Sequence, residues 1–271
     1  MKYPKISLII ATYKNVSALR LIFSSLEKQS SNDFEVIIAE DDKSSDIAML
    51  VEFQKSKNYF LLKHVYQEDL GWRKNKILNS AIRISSGQFC TFIDGDCIPH
   101  KHFIKDICEL AKERVVIGGR SVMLSKFITQ KLIFKQRFTG TISCIKLFFT
   151  CKHFEEGIYL PYKKLIDKNY GVKGRNMTIS QNDLLLVNGF DESYIEPCLG
   201  EDDDIAWRLL MSGCSIKRMK YRGILYHLYH SRDDRKAKNN HLIFNEKQQK
   251  SDWQNKLNGL NKIKDENNKH N

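Results

Sequence analysis

Long apolar runs are missing from this chain of 271 residues. The N-terminal stretch "MKYPKISLIIATYKN" contains one such run, Ile6 to Ala11. It is too short for the core of a signal peptide and far too short to cross a bilayer. Since no other segment reaches the length of a membrane span, the sequence predicts a soluble chain that stays in the cytoplasm.

Paired cysteines are also missing. The chain has 7 cysteines, an odd number with no paired spacing, and it contains no C-x-x-C sequence. This argues against a zinc knuckle or a thioredoxin-type site and fits a reducing compartment better than a disulfide framework. Prolines are few and the composition is ordinary, so the length allows one large α/β domain or a core domain with a smaller appendage.

Acidic residues are missing from one long segment, which runs from Val115 to Phe154, in a chain of formal net charge +12. The charge predicts an acidic partner. Three kinds of partner fit this prediction: nucleic acid, an anionic membrane and a phosphorylated small molecule. The segment interleaves basic residues with phenylalanines, namely Arg120, Lys126, Lys131, Lys135, Arg137, Lys146 and Lys152 with Phe127, Phe134, Phe138, Phe148 and Phe149. Two interpretations stay open, a surface that rests on anionic lipid and a solvated basic face over a core helix pair.

The first part of the chain alternates between two hydrophobic periods. Runs such as "KISLIIATY", "FEVIIAE" and "QFCTFI" are typical of buried strands, whereas "NVSALRLIFSSLEKQS" and "RKNKILNSAIRISSG" have helical spacing. This alternation predicts an α/β fold with a mostly parallel sheet covered by helices on both faces. It stops after "RVVIGGRSVML", and the basic segments that follow, to about residue 170, have no clear pattern.

Polar residues follow three of the predicted strands. They are Thr12 and Tyr13 after the first, Asp41 and Asp42 after the second, and Asp94 and Asp96 after the fourth. One Asp pair alone is more often a turn or a helix cap, but ligands of open α/β sheets bind where strand ends meet. The joint placement therefore favours a metal–diphosphate site, with Arg73, Lys74 and Lys76 at a helix start to meet phosphate. In "IDGDC", Gly95 helps a tight turn that presents two carboxylates to Mg²⁺ or Mn²⁺.

Further metal ligands are predicted in "YHLYHSRDD", which contains His227 and His230. Imidazole suits Mn²⁺ better than Mg²⁺. Residues three apart in a strand face opposite sides, so both histidines reach one metal only if the chain turns between them. For His227, a packed or solvent-exposed histidine is an equal alternative.

The run of four acids from Glu201 to Asp204, in "GEDDDIAW", is unusual in so basic a chain. Such a run is favoured at a helix start, where the helix dipole stabilises carboxylates. The same carboxylates could instead hold a substrate and accept a proton from it.

Two groups of motifs resemble known families. "ISLIIATYKN", "IIAEDDKSSD", "GWRKNKILNSAI" and "FIDGDC" resemble family 2 glycosyltransferases of the GT-A fold, which transfer a sugar from a nucleotide-diphosphate donor. "NGFDESY", "GEDDDIAWRLLMSGCSIKR" and "YHSRDD" are similar to β-1,4-galactosyltransferases and bacterial chondroitin-polymerase-like enzymes. The resemblance implies one GT-A domain with a nucleotide-sugar-binding half at 1–124 and an acceptor-binding, catalytic half at 125–235 that includes a small acceptor-side subdomain. A polar, partly disordered tail is expected at 236–271.

The resemblance also implies roles for individual residues. A UDP-sugar donor would contact Thr12, Tyr13, Asp41, Asp42, Arg73, Asn75, Asp94 and Gly95, with uracil at Asp42 and the phosphates near Arg73 and Asn75. Mn²⁺ or Mg²⁺ would be held by Asp96 and His230, while His227 stands where the galactosyltransferases carry a methionine ligand. Glu201 and Asp203 would hold the acceptor sugar, and Asp202 would be the catalytic base.

The predicted function is therefore an inverting, metal-dependent transfer of a hexose (galactose, glucose or an N-acetyl form). The acceptor would be a saccharide or glycolipid in surface glycan, lipopolysaccharide or capsule synthesis. A peripheral contact with the anionic inner face of the cell membrane is compatible with the basic segment. The alternatives are a nucleic-acid-binding protein, for which no stacking motif or recognition helix stands out, and a non-catalytic glycan-binding relative.

Overall fold

The computed structural model describes residues 3–167, 171–197, 201–231, 238–251, 253–254 and 258–261. The strands are β1 (Ile6–Thr12), β2 (Phe34–Glu40), β3 (Leu61–Tyr66), β4 (Phe89–Asp94), β5 (Cys97–Pro99), β6 (Val115–Gly118), β7 (Ser121–Met123), β8 (Ile166–Asp167), β9 (Asn176–Ser180), β10 (Ser215–Arg218) and β11 (Leu225–His227). The helices are α1 (Val16–Leu26), α2 (Ser45–Ser56), α3 (Lys74–Ile84), α4 (Phe103–Leu110), α5 (Lys126–Lys135), α6 (Cys144–Thr150), α7 (Gln181–Leu186), α8 (Glu201–Met211) and α9 (Lys238–Lys250).

An eight-stranded sheet in the order β3-β2-β1-β4-β9-β6-β10-β8 forms the centre of the molecule. The pairs among β1 to β4 are parallel, and so is the pair of β6 with β10. β9 runs antiparallel to both of its neighbours, β4 and β6, and β8 runs antiparallel to β10. The predicted α/β class with a mostly parallel sheet is confirmed. A second sheet has the order β5-β11-β7.

β1 shows why helices cover both faces of the large sheet. Ile6, Leu8 and Ile10 pack into one hydrophobic core with α1, α2 and α4, whereas Ile9 packs into a second core with α3, α7 and α8. All four side chains are fully buried. A strand buried on both faces needs apolar residues at nearly every position, which explains the continuous apolar run in this part of the sequence.

The acid-free segment contains α5 and α6. Each helix buries very little, with Ile128 and Thr129 buried in α5 and Leu147 in α6. In the described ranges, no helix combines the length and the apolar composition needed to cross a bilayer. The polar tail contains α9, and residues 262–271 lie outside the described part of the chain.

Candidate active site

A cleft of about 570 Å³ lies at the carboxyl ends of β1, β2 and β4, a size typical of small-molecule sites. Its lining includes Thr12, Tyr13, Asp41, Asp69, Trp72, Lys74, Asp94, Gly95, Asp96, His227 and His230. The structure thus brings most of the predicted donor residues together with all three predicted metal ligands. Trp72 and Asp69 are lining residues that the motifs did not assign.

Asp41 is the fixed acid of the donor side. Its carboxylate accepts a hydrogen bond from the backbone N–H of Arg73 at 2.8 Å and another from the side-chain amide of Gln67. Burial raises the pKa of Asp41, although both hydrogen bonds and the charge of Arg73 act in the opposite direction. Nearby, Thr12 Oγ1 is buried without a hydrogen-bond partner among the described residues, so it is available to a bound ligand.

Three predicted donor residues are not among the described residues that line the cleft. Asp42 is buried, and its Oδ1 accepts a bond from the next backbone N–H. The Arg73 guanidinium donates to the carbonyl oxygen of Glu68. Asn75 is buried in α3 and donates to the carbonyl oxygen of Asp191 at 2.7 Å. The contacts of these three side chains in this structure are therefore internal.

The turn between β4 and β5 depends on Gly95. Its N–H donates to the carbonyl oxygen of Ala11 at 2.6 Å. A Cβ atom at this position would lie 2.9 Å from both that oxygen and Thr12 Oγ1, closer than real Cβ contacts. Glycine therefore lets the turn approach the end of β1, which brings Asp94 and Asp96 to the cleft.

Asp96 faces two imidazoles. Its Oδ2 lies 3.6 Å from His227 Nε2 and 3.5 Å from His230 Nε2, and the ring centroids of the histidines are 5.2 Å apart. β11 ends at His227, so the residues between the two histidines are not in extended strand pairing. This satisfies the condition under which both side chains reach one site.

The main chain orients each imidazole. His227 Nδ1 lies 2.8 Å from the Leu228 carbonyl oxygen, and His230 Nδ1 lies 2.9 Å from that of Ser231. Because a carbonyl oxygen only accepts, Nδ1 carries a proton in each ring and Nε2 is left to act as a ligand. A carboxylate and imidazole nitrogens are ligands that a divalent ion such as Mn²⁺ accepts. His230 is not part of the group of Asp96, Cys97 and His227 whose ligand atoms all lie within 4.8 Å of one another.

Cys97 follows Asp96 directly and is not among the site residues that the sequence predicts. Its Sγ belongs with Asp96 and His227 to a group whose potential ligand atoms lie within 4.8 Å of one another. The residue is fully buried. Burial, followed by the charges of Asp96 and Asp94, raises the pKa of its thiol well above the ordinary value.

Lys74 connects the cleft with the acidic run. Its Nζ lies 2.7 Å from Asp94 Oδ1, and it lines both the cleft and a smaller cavity that contains Glu201 and Asp202. Burial lowers the pKa of Lys74, but the three carboxylates outweigh this effect and raise it well above the usual range. Burial acts to raise the pKa of Asp94, and the Lys74 charge outweighs it, so that pKa is lowered. The sequence placed Lys74 near phosphate by charge alone and did not predict these acidic contacts.

Asp202 is positioned by the loop before β9. The backbone N–H of Gly174 donates to its carboxylate. A Cβ atom at position 174 would lie 2.3 Å from Asp202 Oδ1, so a larger residue would displace the carboxylate. Burial raises the pKa of Asp202, while Lys74 and the Gly174 N–H favour its ionised form. A half-buried carboxylate beside a cation has the properties of a general base.

Glu201 has a more enclosed environment than Asp202. It is buried, and its Oε2 has no hydrogen-bond partner in the described ranges. Burial, followed by the charge of Asp202, raises the pKa of Glu201, although Lys74 acts to lower it. A buried acceptor atom without a partner is suited to a ligand hydroxyl group.

The last two acids of the run differ sharply. Asp203 is exposed. Asp204 is almost fully buried, where its Oδ2 lies 2.7 Å from the Arg208 guanidinium and its Oδ1 lies 2.9 Å from Lys247 Nζ. Asp204 therefore joins α8 to α9 through ion pairs. Asp204 is thus not only an acid at a helix start, because it forms ion pairs with a cation of its own helix and with a cation of a second helix.

Two family models match successive parts of the chain. The model described as "Glycosyl transferase family 2" matches residues 7–149, and the model described as "N-terminal domain of galactosyltransferase" matches residues 157–231. The first match contains the β4–β5 turn with Asp96. The second contains the acidic run and both histidines.

Two curated relatives share about a quarter of their residues with this chain over the matched regions. Chondroitin synthase of Escherichia coli is 25% identical over 236 residues, which is 79% of this chain and 33% of that protein. The poly(ribitol-phosphate) beta-N-acetylglucosaminyltransferase TarS of Staphylococcus aureus is 26% identical over 171 residues, 58% of this chain and 30% of the relative. The chain thus spans about a third of the length of these relatives.

Solved structures show the same architecture. Staphylococcus aureus TarS aligns with a TM-score of 0.56 at 19% identity, covering 83% of this chain and 37% of that one. The mannosyltransferase PcManGT of Pyrobaculum calidifontis, solved with GDP-Man and Mn²⁺, aligns with a TM-score of 0.57 at 15% identity. The alignment covers 86% of this chain and 59% of the mannosyltransferase chain. At these identities the likeness concerns the fold, which is GT-A. Because the first family model alone covers more than half of the chain, the protein belongs to glycosyl transferase family 2.

Proposed function

We propose that the protein is an inverting, metal-dependent transferase that moves a hexose from a UDP-sugar to a saccharide acceptor in surface glycan synthesis. The observation that carries this proposal is the position of Lys74, which lines both the cleft and the cavity of Glu201 and Asp202. A donor in the cleft and an acceptor at the acidic run would therefore meet at one side chain. The TarS structure with UDP-GlcNAc supports a nucleotide-sugar in a fold of this kind.

The donor would bind along the strand ends. Thr12, Asp41 and Trp72 offer a hydroxyl, a fixed carboxylate and a ring to the nucleoside. Asp96, His230 and His227 would hold Mn²⁺, or Mg²⁺, which would neutralise the diphosphate oxygens. The imidazole ligands favour manganese over magnesium.

The transfer itself is a single displacement. The acceptor hydroxyl oxygen forms a bond to the anomeric carbon while the bond from that carbon to the diphosphate oxygen breaks, and UDP leaves with the bonding electrons. Asp202 takes the proton of the acceptor hydroxyl, and Glu201 and Asp203 hold neighbouring hydroxyls of the acceptor. Lys74 lies where its charge stabilises the negative charge that develops on the leaving group.

The test is UDP release from a panel of UDP-sugars with Mn²⁺ and saccharide acceptors. Asp202→Asn keeps the shape of the side chain but removes its basicity, and we expect kcat to fall by about 10²–10⁴-fold. Asp46→Asn is the matched control, because Asp46 is also an aspartate in the first turn of a helix and is exposed. Full turnover by Asp202→Asn would remove Asp202 from the role of base. No release from any UDP-sugar would refute the proposed donor class.

A further inference from the structure

The helices of the acid-free segment present large apolar side chains to solvent. Phe134 is 90% exposed, Phe149 is 77% exposed and Ile145 is 73% exposed, and Phe127 and Phe148 are also exposed. Single exposed apolar residues are ordinary, but a cluster on two successive helices marks an interaction surface.

Helical spacing collects these side chains on one face of each helix. In α5, Phe127, Lys131 and Phe134 stand at intervals of four and three residues, and in α6 Ile145 and Phe148 stand three apart, with Phe149 beside them. The Phe148 ring contacts Phe149 and Phe154 edge-on at centroid distances of 5.1 and 4.9 Å. The rings of the α6 face therefore also contact one another and the neighbouring Phe154.

The charge of this surface is of one sign. Lys126, Lys131, Lys135, Arg137, Lys146 and Lys152 are all exposed. The ion pairs of the described residues include none of these six cations. Cations free of acidic partners beside exposed aromatic rings are the composition of a surface that rests on anionic lipid, with the rings at the headgroup boundary and the cations at the phosphates.

We propose that this basic aromatic surface, formed by α5 and α6, binds an anionic membrane. Single-stranded nucleic acid also attracts cations and aromatic rings, but it needs open ring faces on which bases stack. Here the exposed Phe148 meets two other rings in edge-to-face contacts, and the exposed aliphatic Ile145 has no ring to offer. Both features suit contact with lipid better than contact with bases.

The surface is joined to the candidate active site. The backbone N–H of Tyr229 donates to Thr129 Oγ1 of α5 at 2.8 Å, and His230 is the next residue. Thr129 is on the buried face of α5, so a membrane bound at the exposed face would be separated from the segment of Tyr229 and His230 by this helix. If the proposed function holds, this placement favours an acceptor whose saccharide is attached to a lipid in the same membrane.

The experiment is co-sedimentation of the whole protein with vesicles of phosphatidylcholine alone or with about 30% phosphatidylglycerol. We expect binding to the anionic vesicles only, with at least about a tenfold loss in Phe134→Ser/Phe149→Ser. A similar loss is expected in Lys131→Gln/Lys135→Gln, together with a loss on raising salt from about 0.1 to about 1 M, which shortens the screening length from about 10 to about 3 Å. Phe53→Ser is the matched control, because Phe53 is an exposed helical phenylalanine with the Lys57 ammonium 5.0 Å from its ring.

Equal binding to neutral and anionic vesicles, or binding unchanged in both double variants, would overturn the proposal. So would an absence of vesicle binding, whether or not the protein retards single-stranded DNA at physiological salt. The outcome is separable from that of the proposed function, because UDP release to a soluble acceptor needs no membrane. Asp202→Asn should bind vesicles as the wild type does, and Phe134→Ser/Phe149→Ser should keep its activity on a soluble acceptor.

Discussion

Replacing Lys74 with methionine removes one charge from the centre of the candidate site while it keeps most of the side-chain volume. Breaking a fully buried ion pair costs about 3–5 kcal/mol, because the remaining charge is left uncompensated. The Lys74 and Asp94 side chains are 20% and 32% exposed, so solvent screens part of this cost, and we expect a loss of about 1–3 kcal/mol in the free energy of unfolding. For a chain of this size, that lowers Tm by about 2–5 °C.

The same substitution should also lower the catalytic rate. Loss of a group that stabilises developing negative charge lowers kcat by about 10²–10³-fold. Without Lys74, the pKa of Asp202 rises, because the cation that favours its ionised form is gone. Since the base must be ionised to accept a proton, the acidic limb of the pH profile of kcat/KM should move to higher pH.

The assays are thermal unfolding and kcat/KM measured across pH for Lys74→Met and Lys74→Arg. Arginine keeps the charge and should leave the acidic limb near its wild-type position. Lys55→Met is the control, because Lys55 also pairs with a carboxylate, Glu52, but at the surface. In Lys74→Met/Asp94→Asn, part of the lost stability should return, because the unpaired charge is removed as well. If Lys74→Met has wild-type kcat/KM and an unshifted acidic limb, the reasoning is wrong.

Three further substitutions test other parts of the site. Asp96→Asn should weaken the binding of UDP with Mn²⁺ by about tenfold or more and leave the binding of UDP alone unchanged; calorimetry that finds equal losses in both would exclude Asp96 as a ligand. Gly174→Ala should lower kcat with little change in donor affinity, because its Cβ would meet the Asp202 carboxylate at 2.3 Å; wild-type kcat would show that the carboxylate need not stay there. Glu201→Gln should raise Tm at pH 8 and have little effect near pH 4. The folded state raises the pKa of Glu201, so ionisation costs stability as pH rises above the unfolded value of about 4.3; an equal effect at both pH values would argue against a buried, ionised Glu201.

The fold was largely predictable because it follows from local patterns. The apolar run of β1 lacks a regular polar alternation, which is the pattern of a strand covered on both faces. The structure agrees, since Leu8 and Ile10 on one face of β1 and Ile9 on the other are all fully buried. The Asp-Gly-Asp turn was also predictable from a local pattern, a glycine between two aspartates at the end of a strand. The structure agrees, because Gly95 occupies a place where a side chain does not fit.

The division of labour in the acidic run was less predictable. Four neighbouring carboxylates look alike in the sequence, but their environments are set in part by residues far away in the chain. Gly174 fixes Asp202, and Lys247 and Arg208 enclose Asp204. The Asp204–Arg208 pair has the i,i+4 spacing of a helix and leaves a local signal. The contact of Asp204 with Lys247 leaves none, so the burial of Asp204 could not be recognised in advance.

The acid-free segment shows a different limit of sequence patterns. Its aromatic residues are spaced as a core-facing helix stripe could be, and composition alone left a lipid surface and a solvated face over a helix pair both open. Only the accessible surface of Phe134 and Phe149 shows that these rings are not core residues. Periodicity identifies which residues share a face, but it does not say what covers that face.

The position of β9 has a consequence for how the chain folds. β9 belongs to the segment matched by the second family model, yet it lies between β4 and β6, which belong to the first. During synthesis, β4 and β6 leave the ribosome well before β9, which pairs with both of them. Until β9 is made, each of these strands has an edge whose backbone N–H and C=O groups have no β9 partner. A fragment that ends at residue 149 would keep both edges open, and we expect it to aggregate rather than fold as a separate domain. We therefore expect the two matched segments to unfold as one cooperative unit.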